Sequence, residues 1–233
     1  MTIIAVVNGK GGCGKSTLAT HVASHLASLG EEVMLGDVDR QQSSRLWLAL
    51  RPPTRPRIHG WSVDEKNFAR PPAGMRHVVL DTPGGFHGFG LMKISSNAHG
   101  IIIPVTAGLF DKAAARESIQ ELRSMPRIAS GRCRLACIGM RIDARTSQAE
   151  SLRAWASEMG LPCLGAIRSA VAYNRCLESG LSLFDLPSER FEAQLGDWHQ
   201  LVDWLAQLRA AEAPPPGSLL PTPQRSETLL RHV

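Results

Sequence analysis

Residues 9–17 read Gly9-Lys10-Gly11-Gly12-Cys13-Gly14-Lys15-Ser16-Thr17 and directly follow the apolar run TIIAVVN of residues 2–8. They satisfy the pattern G-x-x-x-x-G-K-[ST] of a phosphate-binding loop. The β-branched run before them predicts a buried parallel strand, and the apolar spacing after them predicts a helix over residues 16–29. A strand, a glycine loop and a helix in this order predict a nest of backbone amides at a helix N-terminus, which binds phosphate groups.

Each residue type in this loop has its own chemical reason. Glycines reach backbone angles closed to other residues, so successive amides can face phosphate oxygens. Lys15 places an ammonium on the β- and γ-phosphates, the Ser16 hydroxyl ligates Mg²⁺, and Thr17 can bond the α-phosphate. The sequence therefore predicts a nucleotide site. Its predicted binding residues are Gly9, Gly11, Gly12, Cys13, Gly14, Lys15, Ser16 and Thr17.

Short apolar strands alternate with amphipathic helices along the rest of the chain. This alternation predicts an α/β fold of three layers, in which helices flank a mostly parallel twisted sheet with right-handed crossovers. The predicted strands after the first are residues 33–37, one short strand within 51–75, and residues 77–81, 100–105 and 134–140. The predicted helices are residues 16–29, 43–50, 111–123, 147–159 and 190–208.

A chain of 233 residues fits one domain of this kind with a tail. We predict a domain over residues 1–210, followed by a Pro-rich, unpatterned and disordered tail over 211–233. No apolar run approaches the ~20 residues that span a bilayer, and no secretory signal pattern is visible. These features predict a cytoplasmic protein.

Charge and cysteine content restrict the function only loosely. The formal net charge of +5 is compatible with an anionic partner, although many basic proteins never touch nucleic acid. The five cysteines are odd in number and scattered, which predicts reduced thiols rather than a disulfide framework. Cys133 and Cys137 have no second Cys/His pair nearby at metal-ligand spacing.

Two acidic motifs follow predicted strands. Asp37 and Asp39 lie in the segment GDVDRQQ of residues 36–42, and Asp81 lies in the segment VVLDTP of residues 78–83. Together with the lysine at position 10, these motifs resemble those of the ParA/MinD family of P-loop ATPases, whose deviant Walker A loop reads KGGxGK[ST]. The sharp matches cover residues 8–17, 36–42 and 78–83, within a looser likeness over residues 2–208.

The resemblance implies ATP and Mg²⁺ as cofactors and a homodimer that closes on ATP. In that family the early lysine reaches the partner's phosphates across the dimer interface, so Lys10, Lys15 and Asp39 are the implied catalytic residues. Asp39 would position or deprotonate the attacking water. The implied metal residues are Ser16, Asp37 and Asp81. Arg40 stands where the family usually has proline, which leaves the geometry of that loop open.

The resemblance further implies a spatial-organisation ATPase in the cytoplasm and on the nucleoid. Its ATP dimer would bind DNA non-specifically, and a ParB-like or cargo-adaptor protein would stimulate an otherwise slow hydrolysis. The cargo could be a plasmid, a chromosome, a carboxysome or a chemoreceptor cluster. We favour Arg168 and Arg175 for DNA contact. Other basic residues late in the chain are Arg127, Arg132, Arg134, Arg141, Arg145 and Arg153.

Two alternatives remain open on the same scaffold. One is a MinD-like membrane-associated regulator, although the last predicted helix has the apolar face of a docked core helix and the tail is too polar for a membrane helix. The other is a metabolic or metal-delivery ATPase. An iron protein of that kind needs cysteines that bridge two subunits, and Cys133 and Cys137 are poorly placed for this.

Overall fold

The computed structural model describes residues 1–62 and 74–212, which form alternating strands and helices. The strands are β1 (Thr2–Val6), β2 (Val33–Asp37), β3 (Ile58–Ser62), β4 (His77–Asp81), β5 (Gly100–Val105), β6 (Arg134–Met140) and β7 (Cys163–Ile167). The helices are α1 (Lys15–Ser28), α2 (Ser43–Leu50), α3 (Gly88–Asn97), α4 (Leu109–Arg123), α5 (Pro126–Ala129), α6 (Ser147–Glu158), α7 (Val171–Glu178), α8 (Glu192–Gly196) and α9 (His199–Ala211).

The strands form one sheet in the order β3-β2-β4-β1-β5-β6-β7, and every pairing in it is parallel. The predicted three-layer α/β architecture is therefore confirmed. β1 lies at the centre, with Val6 in register with Asp81 of β4, and Asp37 of β2 is also in register with Asp81. Because parallel strands end at the same edge, the loops that follow β1, β2 and β4 meet there.

Both faces of the sheet are covered, so the central strands are apolar on both sides. Alternate residues of β1 enter different cores, as Ile3 and Ile4 do. One core contains residues of α3, α4 and α6, and the other contains residues of α1 and α9. The representative helix residues are Leu91, Ile119 and Trp155 in the first core, and Leu18, Leu26 and Trp204 in the second.

A buried ion pair connects the segment after α2 to a turn late in the chain. The Arg51 guanidinium donates to both carboxylate oxygens of Asp185, at 2.9 and 2.7 Å. The two side chains are only 4% and 1% exposed. Asp185 also accepts hydrogen bonds from the hydroxyls of Ser24 on α1 and of Ser182. Each charge is thus fully partnered, which a buried ion pair needs to offset its desolvation.

Most predicted elements are confirmed, and their ends shift by one or two residues. The predicted single helix over 190–208 is wrong. A turn at Ser188–Arg190, helix α8 and helix α9 replace it, with a break at Asp197. The Asp197 carboxylate accepts three hydrogen bonds from Arg168, and this contact holds the residue at the junction of the two helices.

Four elements have no counterpart in the sequence prediction, namely α3, α5, β7 and α7. In the part of the chain that the structure describes, no helix has the length and apolar character to cross a bilayer. Nearly all of the predicted tail, from residue 213, lies outside the described residues, as do residues 63–73 of the Pro- and Arg-rich segment.

Candidate nucleotide-binding site

The glycine loop connects the end of β1 to the start of α1, as its motif predicts. Gly14 caps the helix in a left-handed conformation with φ of 95°, and Gly12 has φ of 75°. A Cβ atom on Gly14 would lie 2.8 Å from the Met140 methyl group. Glycine is therefore favoured at position 14 by its backbone angle, whereas the Met140 methyl group is the flexible end of a side chain that could move aside.

Side chains from distant parts of the chain fix the start of the loop. The Asn8 side chain accepts from the Lys10 amide at 2.9 Å and donates to the Pro104 carbonyl at 2.7 Å. The Ser118 hydroxyl accepts from the Gly9 amide at 3.0 Å. The sequence prediction missed Asn8 and Ser118, because their roles depend on which strand and helix lie beside the loop.

Lys15 is buried and turned onto its own loop. Its ammonium donates to the Lys10 carbonyl at 2.8 Å, while the buried Cys13 thiol also donates to that carbonyl. The Lys15 ammonium is therefore already held against the glycine loop before a phosphate binds. Ser16 and Thr17 lie on the first turn of α1 and line the same cavity.

Asp37 and Asp39 shape the loop that follows β2. The buried Asp37 carboxylate accepts from the Asp39 amide at 3.0 Å and the Arg45 amide at 3.1 Å, and burial raises its pKa. Asp39 accepts from the Gln41 amide at 2.9 Å and lines the cavity. Asp37 therefore anchors the loop, whereas Asp39 faces the space where phosphate would bind.

Asp81 is the deepest acid of the site. It is fully buried, and its Oδ2 atom accepts from the Ser44 hydroxyl at 2.6 Å. Its Oδ1 atom has no hydrogen-bond partner among the described residues. Burial raises the pKa of Asp81 to about 6, and the Ser44 and Ser16 hydroxyls act in the opposite direction. An orphaned carboxylate oxygen near a serine hydroxyl fits Mg²⁺, which takes few protein oxygens beside those of phosphates.

The residues after Asp81 rest directly on the glycine loop. The Gly85 amide donates to the Gly9 carbonyl at 2.6 Å. A Cβ atom on Gly84 would lie 3.1 Å from backbone atoms of Gly11, so only glycine fits there without a shift. The loop over residues 83–86, which we call the switch loop, therefore connects the phosphate nest to α3.

Lys10 forms an ion pair within its own chain. Its ammonium lies 2.6 Å from Asp111 Oδ1 at the start of α4, and its side chain is 40% exposed. The hydrogen bond and the positive charge of Lys10 lower the pKa of Asp111, against the opposing effect of burial. The sequence prediction did not include Asp111, which is 101 positions away from its partner.

Two arginines complete a cavity of about 840 Å³ around the glycine loop. Arg40 lines it from the loop after β2. Arg141 lines it from the end of β6, where its guanidinium donates to the Gly12 carbonyl. Arg141 stood among the basic residues considered for DNA. Its position at the carboxyl end of a parallel strand was the signal for a ligand site.

The two arginines favoured for DNA contact differ in their surroundings. Arg168 forms a bidentate ion pair with Asp197, at 2.7 and 2.8 Å. Arg175 lies exposed on α7. Cys133 and Cys137 are buried in the core, away from a surface where they would bridge two subunits. Within residues 1–62 and 74–212, no group of three or more His, Cys, Asp or Glu side chains could hold a metal ion by itself.

Comparison with known proteins agrees with this architecture. A family profile described as the CobQ/CobB/MinD/ParA nucleotide binding domain matches residues 4–184. The chain is 28% identical to the maintenance of carboxysome distribution protein A of Gloeobacter kilaueensis over 214 residues, which cover 87% of this chain and 93% of the relative. It is 27% identical to the chromosome-partitioning ATPase Soj of Thermus thermophilus over 159 residues, which cover 52% of this chain and 62% of the relative.

Solved structures share the fold at low sequence identity. The cell division protein MinD of Aquifex aeolicus superposes with a TM-score of 0.67 at 19% identity, covering 92% of this chain and 99% of that one. The septum site-determining protein MinD of Pyrococcus horikoshii, solved with Mg-ADP, superposes with a TM-score of 0.63 at 15% identity, covering 89% and 98%.

Proposed function

This chain belongs to the CobQ/CobB/MinD/ParA family of nucleotide-binding domains, and we propose that it is a ParA-type positioning ATPase that dimerises on ATP. The observation that carries this proposal is one cavity that joins the glycine loop to Asp39 and the switch loop, beside Lys10. Relatives named for carboxysome distribution and chromosome partitioning support the positioning role.

Residues in and beneath the cavity take different parts in phosphoryl transfer. The glycine-loop amides and the Lys15 ammonium hold the β- and γ-phosphates, and Asp39 orients the attacking water. Ser16 and Asp81 would hold Mg²⁺, which neutralises phosphate charge when bound. Asp37 keeps Asp39 in place through the Asp39 amide. Catalysis of this kind depends on positioning and electrostatics rather than on a covalent intermediate.

The face around Lys10 is suited to a second copy of the chain. Leu109 and Phe110, directly before Asp111, are 77% and 79% exposed. Phe89, at the start of α3, is 65% exposed. Exposed apolar side chains beside a cavity are typical of an interaction surface. We propose that two copies close over ATP on this face, so that each Lys10 leaves Asp111 and reaches the phosphates of the other copy.

The ATP dimer would hold nucleoid DNA through phosphate contacts and release it after hydrolysis. Such contacts carry no sequence preference and weaken steeply with salt. A protein bound to the cargo would stimulate hydrolysis, and the cycle would move or space that cargo. We assign this cycle to the proposed ATPase domain over residues 1–210.

The decisive experiment compares DNA retention in three nucleotide states. Purified protein is passed over an immobilised non-specific duplex with ATP, with ADP and as the Asp39→Ala variant with ATP. We expect retention with ATP, loss with ADP and prolonged retention of Asp39→Ala, because its bound ATP is not hydrolysed. Lys15→Ala should not bind nucleotide, since the charge of the β- and γ-phosphates is left unmatched.

An exposed acid provides the matched control. Asp203→Ala removes one exposed carboxylate on α9, a helix that contributes no residue to the cavity, and should behave like the unchanged protein. Equal retention in all three nucleotide states would contradict the switch. Retention on anionic vesicles in place of DNA would favour the membrane regulator.

A further inference from the structure

The sheet order gives the nucleotide cavity two distinct sides. The glycine loop follows β1, and on one side of it β4 and β2 end in Asp81 and Asp37, with Asp39 in the loop after β2. Because these acids serve the metal and the attacking water in the proposed function, they mark the end where the terminal phosphate lies. The sugar and base must then extend the other way, over the ends of β5, β6 and β7.

Arg40 belongs to the terminal-phosphate side. It directly follows Asp39, is exposed and lines the cavity. Its guanidinium has no ion-pair partner in the part of the chain that the structure describes. Gln42, two residues later, has φ of 51°, so the loop turns back sharply beside the cavity. An unpaired guanidinium at this place is free to bind phosphate oxygens with its planar fork.

Arg141 belongs to the opposite side. Among the described residues that line the cavity, it alone comes from a strand end beyond β1 on the side of β5, β6 and β7. Its backbone has φ of 58°, and Arg141 and Gln42 are the two non-glycine residues with positive φ in the described chain. Its guanidinium lies over the glycine loop through the Gly12 carbonyl. Such a backbone outlier needs firm support from its surroundings and points to a functional position.

We propose that Arg40 and Arg141 bind opposite ends of one nucleotide: Arg40 the terminal phosphate, and Arg141 the sugar and base. A guanidinium plane can stack on an aromatic base and can donate to sugar oxygens with the N–H groups that do not bond Gly12. This assignment rests on the proposed function. It adds a cation to the hydrolysis site within the same chain, at the position where the ParA/MinD resemblance implies proline.

Three ligands separate the two ends. ATP has both a terminal phosphate and a nucleoside, ADP lacks the terminal phosphate, and inorganic tripolyphosphate lacks the nucleoside. Binding of each to the unchanged protein, Arg40→Ala and Arg141→Ala is measured by titration calorimetry with Mg²⁺. The two variants remove the same side chain from opposite sides of one cavity, so each is the matched control of the other.

We expect Arg40→Ala to lower the affinity for ATP and for tripolyphosphate by about ten- to a hundredfold, as the loss of a charge-assisted pair predicts. The affinity for ADP should stay unchanged. We expect Arg141→Ala to lower the affinity for ATP and for ADP by a similar factor and to leave the affinity for tripolyphosphate unchanged. Arg141→Lys keeps the charge without the plane and should resemble Arg141→Ala. Unchanged melting temperatures confirm that both variants are folded.

The outcomes separate this inference from the function on which it rests. If the unchanged protein does not bind ATP, the proposed function fails. If it binds ATP but Arg141→Ala lowers the affinity for all three ligands, Arg141 only stabilises the glycine loop and the inference is overturned. The inference is also overturned if both variants give the same pattern, or if neither affects any ligand.

Discussion

Lys10 and Asp111 form the most consequential single contact of the molecule. The 2.6 Å pair holds within its own subunit the ammonium that the proposed dimer needs elsewhere. Dimer closure must therefore break the pair, and the Asp111 side chain competes directly with the phosphates of the second copy. The strength of this competition can be measured by removing the charge of Asp111.

Asp111→Asn should strengthen ATP-driven dimerisation. A partly exposed ion pair contributes roughly 0.2–1 kcal/mol, and both copies must break theirs, so the dimer dissociation constant should fall about two- to thirtyfold. Sedimentation equilibrium with a non-hydrolysable ATP analogue measures it. Glu117→Gln, an exposed acid on the same helix, is the control and should leave the constant unchanged. Weaker association of Asp111→Asn would mean that Asp111 itself serves the interface.

Asp81→Asn should make the metal-free protein more stable and its ATPase inactive. Folding raises the pKa of Asp81 to about 6 from 3.8, so the folded state is penalised wherever the carboxylate is ionised. Removal of that charge should add about 1–3 kcal/mol to the free energy of unfolding at pH 7.5. Asn still accepts the hydrogen bond from Ser44, which keeps the packing.

The stability gained by Asp81→Asn should depend on pH. The stabilisation should shrink as the pH falls from about 6 towards 4, because the Asp81 carboxyl of the folded state then takes up a proton, and it should vanish below the unfolded-state pKa of 3.8. Urea unfolding with a chelator present, at several pH values, measures it, and Asp203→Asn on α9 is the exposed control. A gain that stays undiminished from pH 7.5 down to pH 4 would show that the charge of Asp81 is not its cause.

At the scale of elements, the switch loop joins the phosphate nest to α3. Gly84→Ala places a methyl group 3.1 Å from the Gly11 backbone, which cannot rotate away as a side chain would. We expect a loss of about 1–3 kcal/mol in stability, as overpacking typically costs, measured by thermal unfolding. Gly11→Ala is the matched control, because its Cβ atom would meet nothing within 4 Å. Equal melting temperatures would mean that the loop moves aside freely.

The elements that sequence reasoning found are those with a strong local pattern. Strand 33–37 and helix 43–50 have clear apolar periods, and the structure places them at the same residues. Helix α3 was missed because Gly88 and Gly90 weaken its helical signal. Strand β7 depends on pairing with β6, and the α8–α9 break depends on Arg168 meeting Asp197. Neither contact can be seen from local sequence.

The residues of the candidate site also fall into those with a local sequence motif and those that depend on distant contacts. The glycine loop and the acids after β2 and β4 have compact motifs, so they could be named before the structure. Arg141 follows β6, Ser44 lies on α2, and Asp111 and Ser118 lie on α4, so each acquires a role only when the sheet brings its strand or helix beside the loop. The catalytic roles predicted for Lys10, Lys15 and Asp39 stay predictions, which the variants described above test.

At the scale of the whole molecule, Arg168 and Arg175 should have opposite phenotypes. Arg168→Ala leaves the nearly buried Asp197 carboxylate unpaired, so it should lower stability by about 1–3 kcal/mol in urea unfolding. Arg175→Ala should keep stability and weaken DNA binding of the ATP dimer. It should also reduce the slope of log affinity against log salt by about one for each DNA phosphate that is no longer neutralised.

Arg190→Ala is the control, because Arg190 is an exposed arginine that precedes α8 and was not among the basic residues considered for DNA. If Arg175→Ala keeps full DNA affinity and the full salt slope, the DNA face lies elsewhere on the molecule. If Arg168→Ala remains fully stable but loses DNA binding, Arg168 serves DNA contact rather than the ion pair with Asp197.

The buried Arg51–Asp185 pair has a consequence for how the chain is made. Arg51 leaves the ribosome more than a hundred residues before Asp185, with which it pairs. Strand β1 can also pair on both sides only after β4 and β5 have been synthesised. A nascent chain that stops short of Asp185 carries a guanidinium with no anion to bury it against. The phosphate nest, although translated first, therefore reaches its final form only near the end of synthesis.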